Sequence, residues 1–363
     1  MSRDRVSLLG SGLALLVLAL LVAIDRSIPP DYAVLASLFG LSPLIACAVV
    51  PASGTAGIGV VAVSAAFASG WWNGTAGTAQ QNVRIINVVL VSAAAVAIAA
   101  VRVHRERRFQ EVSAIAEAAQ RAILPVLPTR LGGVAVATRY RSAAHGALVG
   151  GDLYDCYHSE AHIRFLIGDV RGKGIAGVEQ AARVIRAFRQ SAALRESLGD
   201  VAREMDDYLV DFFGDEEFVT ALLVEVSGPG HLTLFNAGHP PPQLVRATGE
   251  SELLDLPPAL PLGLGLGGRS EVAAVTVPWT PGDRLLLYTD GLSEARDRSG
   301  RFLDLSSLAG GLRDTVTVDA ALDDVLDHVA GHVPRGHLED DLALLLLENT
   351  ADDGAIEGSA ART

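Results

Sequence analysis

Hydrophobic and polar positions divide the chain near residue 102. Before it, apolar stretches cover residues 6–24, 32–50, 55–69 and 83–101. The first, second and fourth are long enough to cross ~30 Å of hydrocarbon as helices. The third is shorter and glycine-rich, so about four spans are expected. A cleaved signal peptide is the alternative for the first stretch, but no small-residue cleavage site follows it and more spans come after. Residues 103–128 predict a connecting helix. Within it Phe109, Val112, Ala116, Ala119 and Ile123 alternate at spacings of three and four. That seam fits either a homodimer contact through residues 103–124 or packing on the following domain. Pro125 and Pro128 end the helix.

From about residue 129 the pattern changes to short strands broken by turns. Strands are expected at 133–140, 162–170, 218–226, 231–236, 243–246, 271–277, 284–289 and 342–347. Two helices are expected between Ile175 and Phe213, and a third over 319–333. Neighbouring strands lie close enough for hairpins, which predicts largely antiparallel sheets with helices outside. The segment 349–363, rich in Ala, Gly, Asp and Thr, reads as a disordered tail.

Composition sharpens this division. Half of all residues are hydrophobic and the mean hydropathy is +0.33, an excess that lies in the first hundred residues. Residues 1–108 hold 8 basic and 4 acidic side chains, and the remainder holds 21 and 38. So acidic a C-terminal part is a poor host for nucleic acid, whose phosphates require a basic surface. Arg3 and Arg5 precede the first span, and Arg102, Arg105, Arg107 and Arg108 follow the last. An even number of spans puts both clusters on the cytoplasmic side of a bacterial membrane. Two cysteines, Cys47 and Cys156, make no disulfide framework.

Candidate chemistry lies in carboxylates beside glycines. Gly150-Gly151-Asp152 and Gly168-Asp169-Val170-Arg171-Gly172-Lys173-Gly174 are close in sequence, while Asp290-Gly291 and Asp340-Asp341 lie far downstream. Each sits where an apolar run begins or ends. A single Asp-Gly is ordinarily a turn, but four such sites at strand ends can converge. Converging carboxylates require cations between them, and hard oxygen ligands suit Mn²⁺ or Mg²⁺. Other signals fall away. Gly263, Gly265 and Gly268 precede a strand where a dinucleotide site needs a helix, and Gly172-Lys173-Gly174 has no Ser or Thr to complete a P-loop. His239 stands before three prolines and reads as a structural turn. Lys173, the chain's one lysine, either attracts phosphate or is a solvated loop residue.

The segments 150–155, 168–174, 218–222, 236–241, 261–263, 281–292 and Asp340-Asp341 occur in the order seen in PP2C-type metal-dependent phosphatases. Residues 118–348 most resemble their bacterial SpoIIE-like branch. The resemblance implies an α+β fold, a four-layer α-β-β-α sandwich over 129–348, here preceded by an all-α transmembrane segment (1–102). It implies that Asp169 bridges two ions, that the backbone carbonyl of Val170 completes one site, that Asp152 binds one ion, and that Asp290 and Asp340 bind the other. Asp341 is a further ligand position, and Asp155 would act through water. The implied activity is hydrolysis of phosphoserine or phosphothreonine on a regulatory protein of the anti-sigma factor antagonist type. Two ions would acidify a shared water for in-line attack on phosphorus. The alternative is a degenerate domain that captures phosphorylated partners without turnover.

Overall fold

The computed structural model describes residues 3–28, 35–142, 150–214, 216–227, 230–257, 259–265, 273–334 and 338–350. The expected tail, apart from Asn349 and Thr350, lies outside the described residues. Two compact units divide at Glu111/Val112.

The first unit is helical. Helix α1 spans Arg3–Ser27, a 3-10 turn at Ala36–Gly40 leads into α2 (Leu41–Ala46), α3 spans Ala52–Trp72, and α4 spans Ala79–Ile123. Three of these, α1, α3 and α4, are long and apolar enough to cross a membrane. Against the expectation of about four spans stand these three helices and a shorter apolar helical stretch, Ala36–Ala46, among the described residues. Among the described residues the second apolar stretch is helical only over Ala36–Ala46, shorter than a span needs. The glycine-rich third stretch, by contrast, is a 21-residue helix that starts directly after Pro51.

A buried acid organises one end of this unit. Asp25, in the last turn of α1, is fully buried and accepts hydrogen bonds from Ser69 Oγ (2.6 Å), Asn73 Nδ2 (2.9 Å), Trp72 Nε1 (3.0 Å) and Leu35 N (2.6 Å). Trp72 is thus a hydrogen-bond donor within the unit, whereas Trp71 is three-quarters exposed, as an interfacial anchor would be.

The second unit is a sandwich of two antiparallel sheets. One sheet is built from β1 (Arg130–Leu131), β2 (Val134–Arg141), β7 (Gln243–Val245), β8 (Ser251–Leu253), β10 (Arg284–Tyr288) and β11 (Leu342–Asn349), in the order β1-β2-β11-β10-β7-β8. The other holds β3 (Asp152–His158), β4 (Ile163–Val170), β5 (Val219–Val226), β6 (His231–Ala237) and β9 (Val275–Pro278), in chain order. Phe165, Ile167, Leu222, Leu285, Leu287, Leu345 and Leu347 fill the space between the sheets. Helices α5 (Ile175–Leu194) and α6 (Leu198–Val210) cover the outer face of the second sheet, with Val184, Phe188 and Met205 against Leu166 and Leu223. A short helix α7 (Asp290–Ser293) follows β10. Helices α8 (Ala309–Asp314) and α9 (Val318–His332) cover the first sheet, with Leu322 and Val325 packed on Leu286, Leu344 and Leu346.

This layering explains the unbroken apolar runs of β10 and β11. Alternate side chains enter different cores, so neither strand has a face for polar residues. The end of α4 belongs to this unit. Ala116 and Gln120 are fully buried and Ile123 packs on the α5–α6 core, so this part of the seam faces its own domain.

Candidate active site

Strand pairing brings the acidic residues to one rim. Asp152 begins β3 and Asp169 lies one residue from the end of β4; in the antiparallel register they are direct partners. In the other sheet β10 ends where β11 begins, with Tyr288 opposite Leu344 and Thr289 N bonded to the Ala343 carbonyl at 3.1 Å. Asp290 therefore stands beside Asp340 and Asp341. The close approach depends on Gly291, where a Cβ would collide with the Asp341 carbonyl.

Hydrogen bonds tie the two pairs of strand ends together. Thr289 Oγ1 donates to Asp152 Oδ2 at 2.7 Å and accepts from Ala343 N at 2.9 Å. Gly150 N and the Tyr140 hydroxyl donate to Asp341 Oδ2 at 2.9 and 3.1 Å. Lys173 Nζ binds both Asp340 oxygens, at 2.8 and 3.0 Å. From α4, the Gln120 side-chain amide donates to the Asp152 carbonyl.

The electrostatics follow from this crowding. Burial, reinforced by Asp290 and Asp340, pushes the Asp169 carboxyl up to about 8. Burial and then Asp169 raise Asp152 well above the usual carboxylate range, although the Thr289 bond opposes them. Asp290 moves in the same direction through burial and Asp340. Lys173 loses some affinity for its proton through burial and regains more from Asp340, so it stays charged.

The donor set fits divalent cations. A side chain at Gly151, where φ is 137°, would place its Cβ 2.5 Å from Asp169 Oδ1, 3.3 Å from the Val170 carbonyl and 3.5 Å from the Gly172 carbonyl. Glycine keeps this oxygen-ringed space open. Among the described residues, no three acidic, histidine or cysteine side chains already close around a single point. Asp340 is held by Lys173, Asp341 by the Gly150 turn, and Asp152 by Thr289. The acids face one rim, each drawn toward its own partner.

Residues outside the rim have other parts. Asp155 points into an ion pair with Arg189 (2.6 Å) on α5. His239 is buried beside β5, with Nδ1 3.1 Å from Thr220 Oγ1 and its main chain bracketed by Asn236. Burial pushes its imidazole down to about 3, so it is neutral and supports the turn. Sequence reasoning missed Thr289, Tyr140 and Gln120. The Thr-Asp-Gly context was a signal for Thr289, but Tyr140 and Gln120 read as ordinary strand and helix residues.

The family described as stage II sporulation protein E (SpoIIE) matches residues 159–350. Phosphoserine phosphatase RsbP of Bacillus subtilis is 29% identical over 154 residues, 40% of this chain and 37% of its own. The solved RsbU and RsbW domains of a Mycobacterium tuberculosis protein are 26% identical, with a TM-score of 0.52 over 63% of this chain and 62% of theirs. The SiaA PP2C domain of Pseudomonas aeruginosa shares the fold at 21% identity, with a TM-score of 0.54 over 69% of this chain and 99% of that domain. The matches span little more than a third of the length of the curated relatives.

Proposed function

The chain belongs to the SpoIIE family of PP2C-type phosphatases, and from that premise we propose that it is a metal-dependent phosphatase acting on phosphoserine or phosphothreonine of a regulatory protein. The observation that carries this reading is the meeting of Asp152, Asp169, Asp290 and Asp340 at one rim, with buried Asp169 pushed up to about 8. Buried like charges at this density call for cations. In this reading Asp169 would hold both of two ions, the Val170 carbonyl would complete one site, Asp152 would hold one ion, and Asp290 and Asp340 would hold the other. Mn²⁺ and Mg²⁺ suit such oxygens. Asp341 serves as a brace that holds the Gly150–Gly151 turn.

When bound, such ions polarise phosphoryl oxygens and acidify water for attack on phosphorus. The chain's own groups orient that chemistry. Thr289 fixes one oxygen of Asp152, and Gly151 keeps the space beside Asp169 clear. Lys173 adds positive charge at the rim, where it draws in the phosphate dianion. A cysteine nucleophile plays no part in this scheme: burial pushes the Cys156 thiol up to about 11, which keeps it protonated.

The phosphoserine substrate is carried over from the relative named a phosphoserine phosphatase, and the anti-sigma factor antagonist type of partner from the family resemblance. The three apolar helices support a multi-pass anchor in a bacterial membrane. With three spans Arg3 and Arg5 fall across the bilayer from Arg102, Arg105, Arg107 and Arg108. The larger cluster, next to the phosphatase domain in sequence, favours a cytoplasmic location for that domain.

The test is phosphate release from a phosphoserine peptide by the full chain in detergent. Turnover that requires Mn²⁺, stops with chelator and is lost in Asp169→Asn and Asp290→Asn supports the reading. Absence of metal-dependent turnover, or turnover that persists in Asp169→Asn, rejects it.

A further inference from the structure

An open cavity of about 960 Å³ borders the acidic rim. Gly291 and Asp340 are in its lining, and so are Arg296 and Arg298. Arg298 also lines a second cavity of about 420 Å³, together with Arg301 and His332. Arg298 is thus shared with a second cavity whose lining holds none of the rim acids. The acids in the larger cavity, Glu294 and Glu339, lie within four residues of Asp290 and Asp340 respectively. The cavity thus carries acids continuous in sequence with the rim and, in the same lining, two arginines.

The loop that carries the arginines is fixed by its own bonds. Arg296 and Phe302 pair across it, and the Arg296 guanidinium lies 4.1 Å from the Phe302 ring centroid. Asp297 Oδ1 accepts from Ser299 N at 2.7 Å and Arg301 N at 3.0 Å, and its Oδ2 accepts from Arg301 Nε at 3.0 Å. The charges of Arg301 and Arg296 are thereby engaged. Arg298 is exposed and has no ion pair or hydrogen bond among the described residues, although acidic residues outnumber basic ones 38 to 21 after residue 108. An unpaired guanidinium on a loop braced by its own hydrogen bonds, lining the cavity that Gly291 and Asp340 also line, is placed to receive an anion.

We propose that this cavity seats the substrate segment flanking the phosphoserine, and that Arg298 selects an acidic side chain in that segment. The proposal rests on the phosphatase reading above. A phosphorylated residue held at the rim has to be continued by its chain along an open path, and the cavity supplies one. An acidic segment would otherwise be repelled by so acidic a domain; a fixed cation along its path converts that repulsion into recognition.

The test uses the full chain in detergent with three phosphoserine peptides, flanked by glutamates, by glutamines or by lysines. With Mn²⁺, the glutamate peptide is expected to have a kcat/KM about tenfold higher than the glutamine peptide. The ratio falls to about one in Arg298→Gln and turns in favour of a lysine-flanked peptide in Arg298→Glu, an inversion that a merely structural role would not produce. Equal values in the unaltered protein, or a preference that survives Arg298→Glu, overturn the proposal. Fluorescence anisotropy of the same peptides on metal-free protein reads binding separately. Tighter binding of the glutamate peptide through Arg298 without turnover supports the cavity and sinks the phosphatase reading. Turnover without an acidic preference does the reverse.

Discussion

Asp152 and Asp169 stand directly opposite each other across the β3–β4 ladder, and burial raises the proton affinity of both. Over the window from the ordinary carboxylate range near 4 up to about 8, the folded chain therefore holds more protons than the unfolded chain. Stability then falls as pH rises through that window, and Asp290 acts in the same sense. The metal-free protein should melt at a lower temperature at about pH 8 than at about pH 5. Mn²⁺ should raise the melting temperature more at the higher pH. Asp169→Asn should stabilise the metal-free protein at about pH 8, because it removes one of the buried like charges. Thermal unfolding followed by circular dichroism checks all three, and a flat pH profile would count against the coupling.

Gly151 should be intolerant of any side chain. An alanine there meets Asp169 Oδ1 at 2.5 Å with φ at 137°, a strain of about 1–3 kcal/mol. It also occupies the oxygen-lined space assigned to an ion. Gly151→Ala should reduce phosphatase activity by on the order of 100-fold while the far-UV spectrum is unchanged. Steady-state kinetics would decide this, and near-normal kcat would be inconsistent with the assignment.

Gln120 links α4 to the acidic rim through the Asp152 carbonyl. Gln120→Ala leaves Asp152 less firmly oriented, and supporting contacts of this kind alter metal affinity by roughly 10–100-fold. A weaker apparent affinity for Mn²⁺ in activity titrations, with saturating activity partly preserved, is the expected result. An unchanged titration would show that the contact does not matter to the site.

Asp25 holds four donors in the helical unit. Asp25→Ala leaves them without their acceptor, at a cost of about 2 kcal/mol or more. Thermal unfolding of the full chain in detergent should show a lower first transition. An unaltered transition would mean that water or neighbouring groups replace the carboxylate.

Much of the fold was legible because its signals are local. The apolar runs that became β4, β5, β10 and β11 and the helices α5, α6 and α9 lie within a few residues of their expected bounds. The strand β3 was missed as a strand because polar Asp155 and His158 interrupt its apolar pattern. The short β8 carries only Ser251, Glu252 and Leu253, all exposed, and shows no periodicity. In the first hundred residues apolar length alone was a poor guide to helix length, since the stretch at 32–50 is helical only over Ala36–Ala46 among the described residues, whereas the glycine-rich one lies in the 21-residue helix Ala52–Trp72. The acids were recognisable by their glycine neighbours and strand ends. Their braces were not, because Tyr140, Gln120 and Lys173 acquire their meaning only from contacts made across the fold.

If these strand-end acids hold divalent cations, isothermal titration of the metal-free full chain with Mn²⁺ will register them. About two ions per chain are expected, with binding sharply weakened in Asp169→Asn and the stoichiometry reduced in Asp290→Asn. No binding, or an isotherm that neither substitution changes, would contradict that expectation.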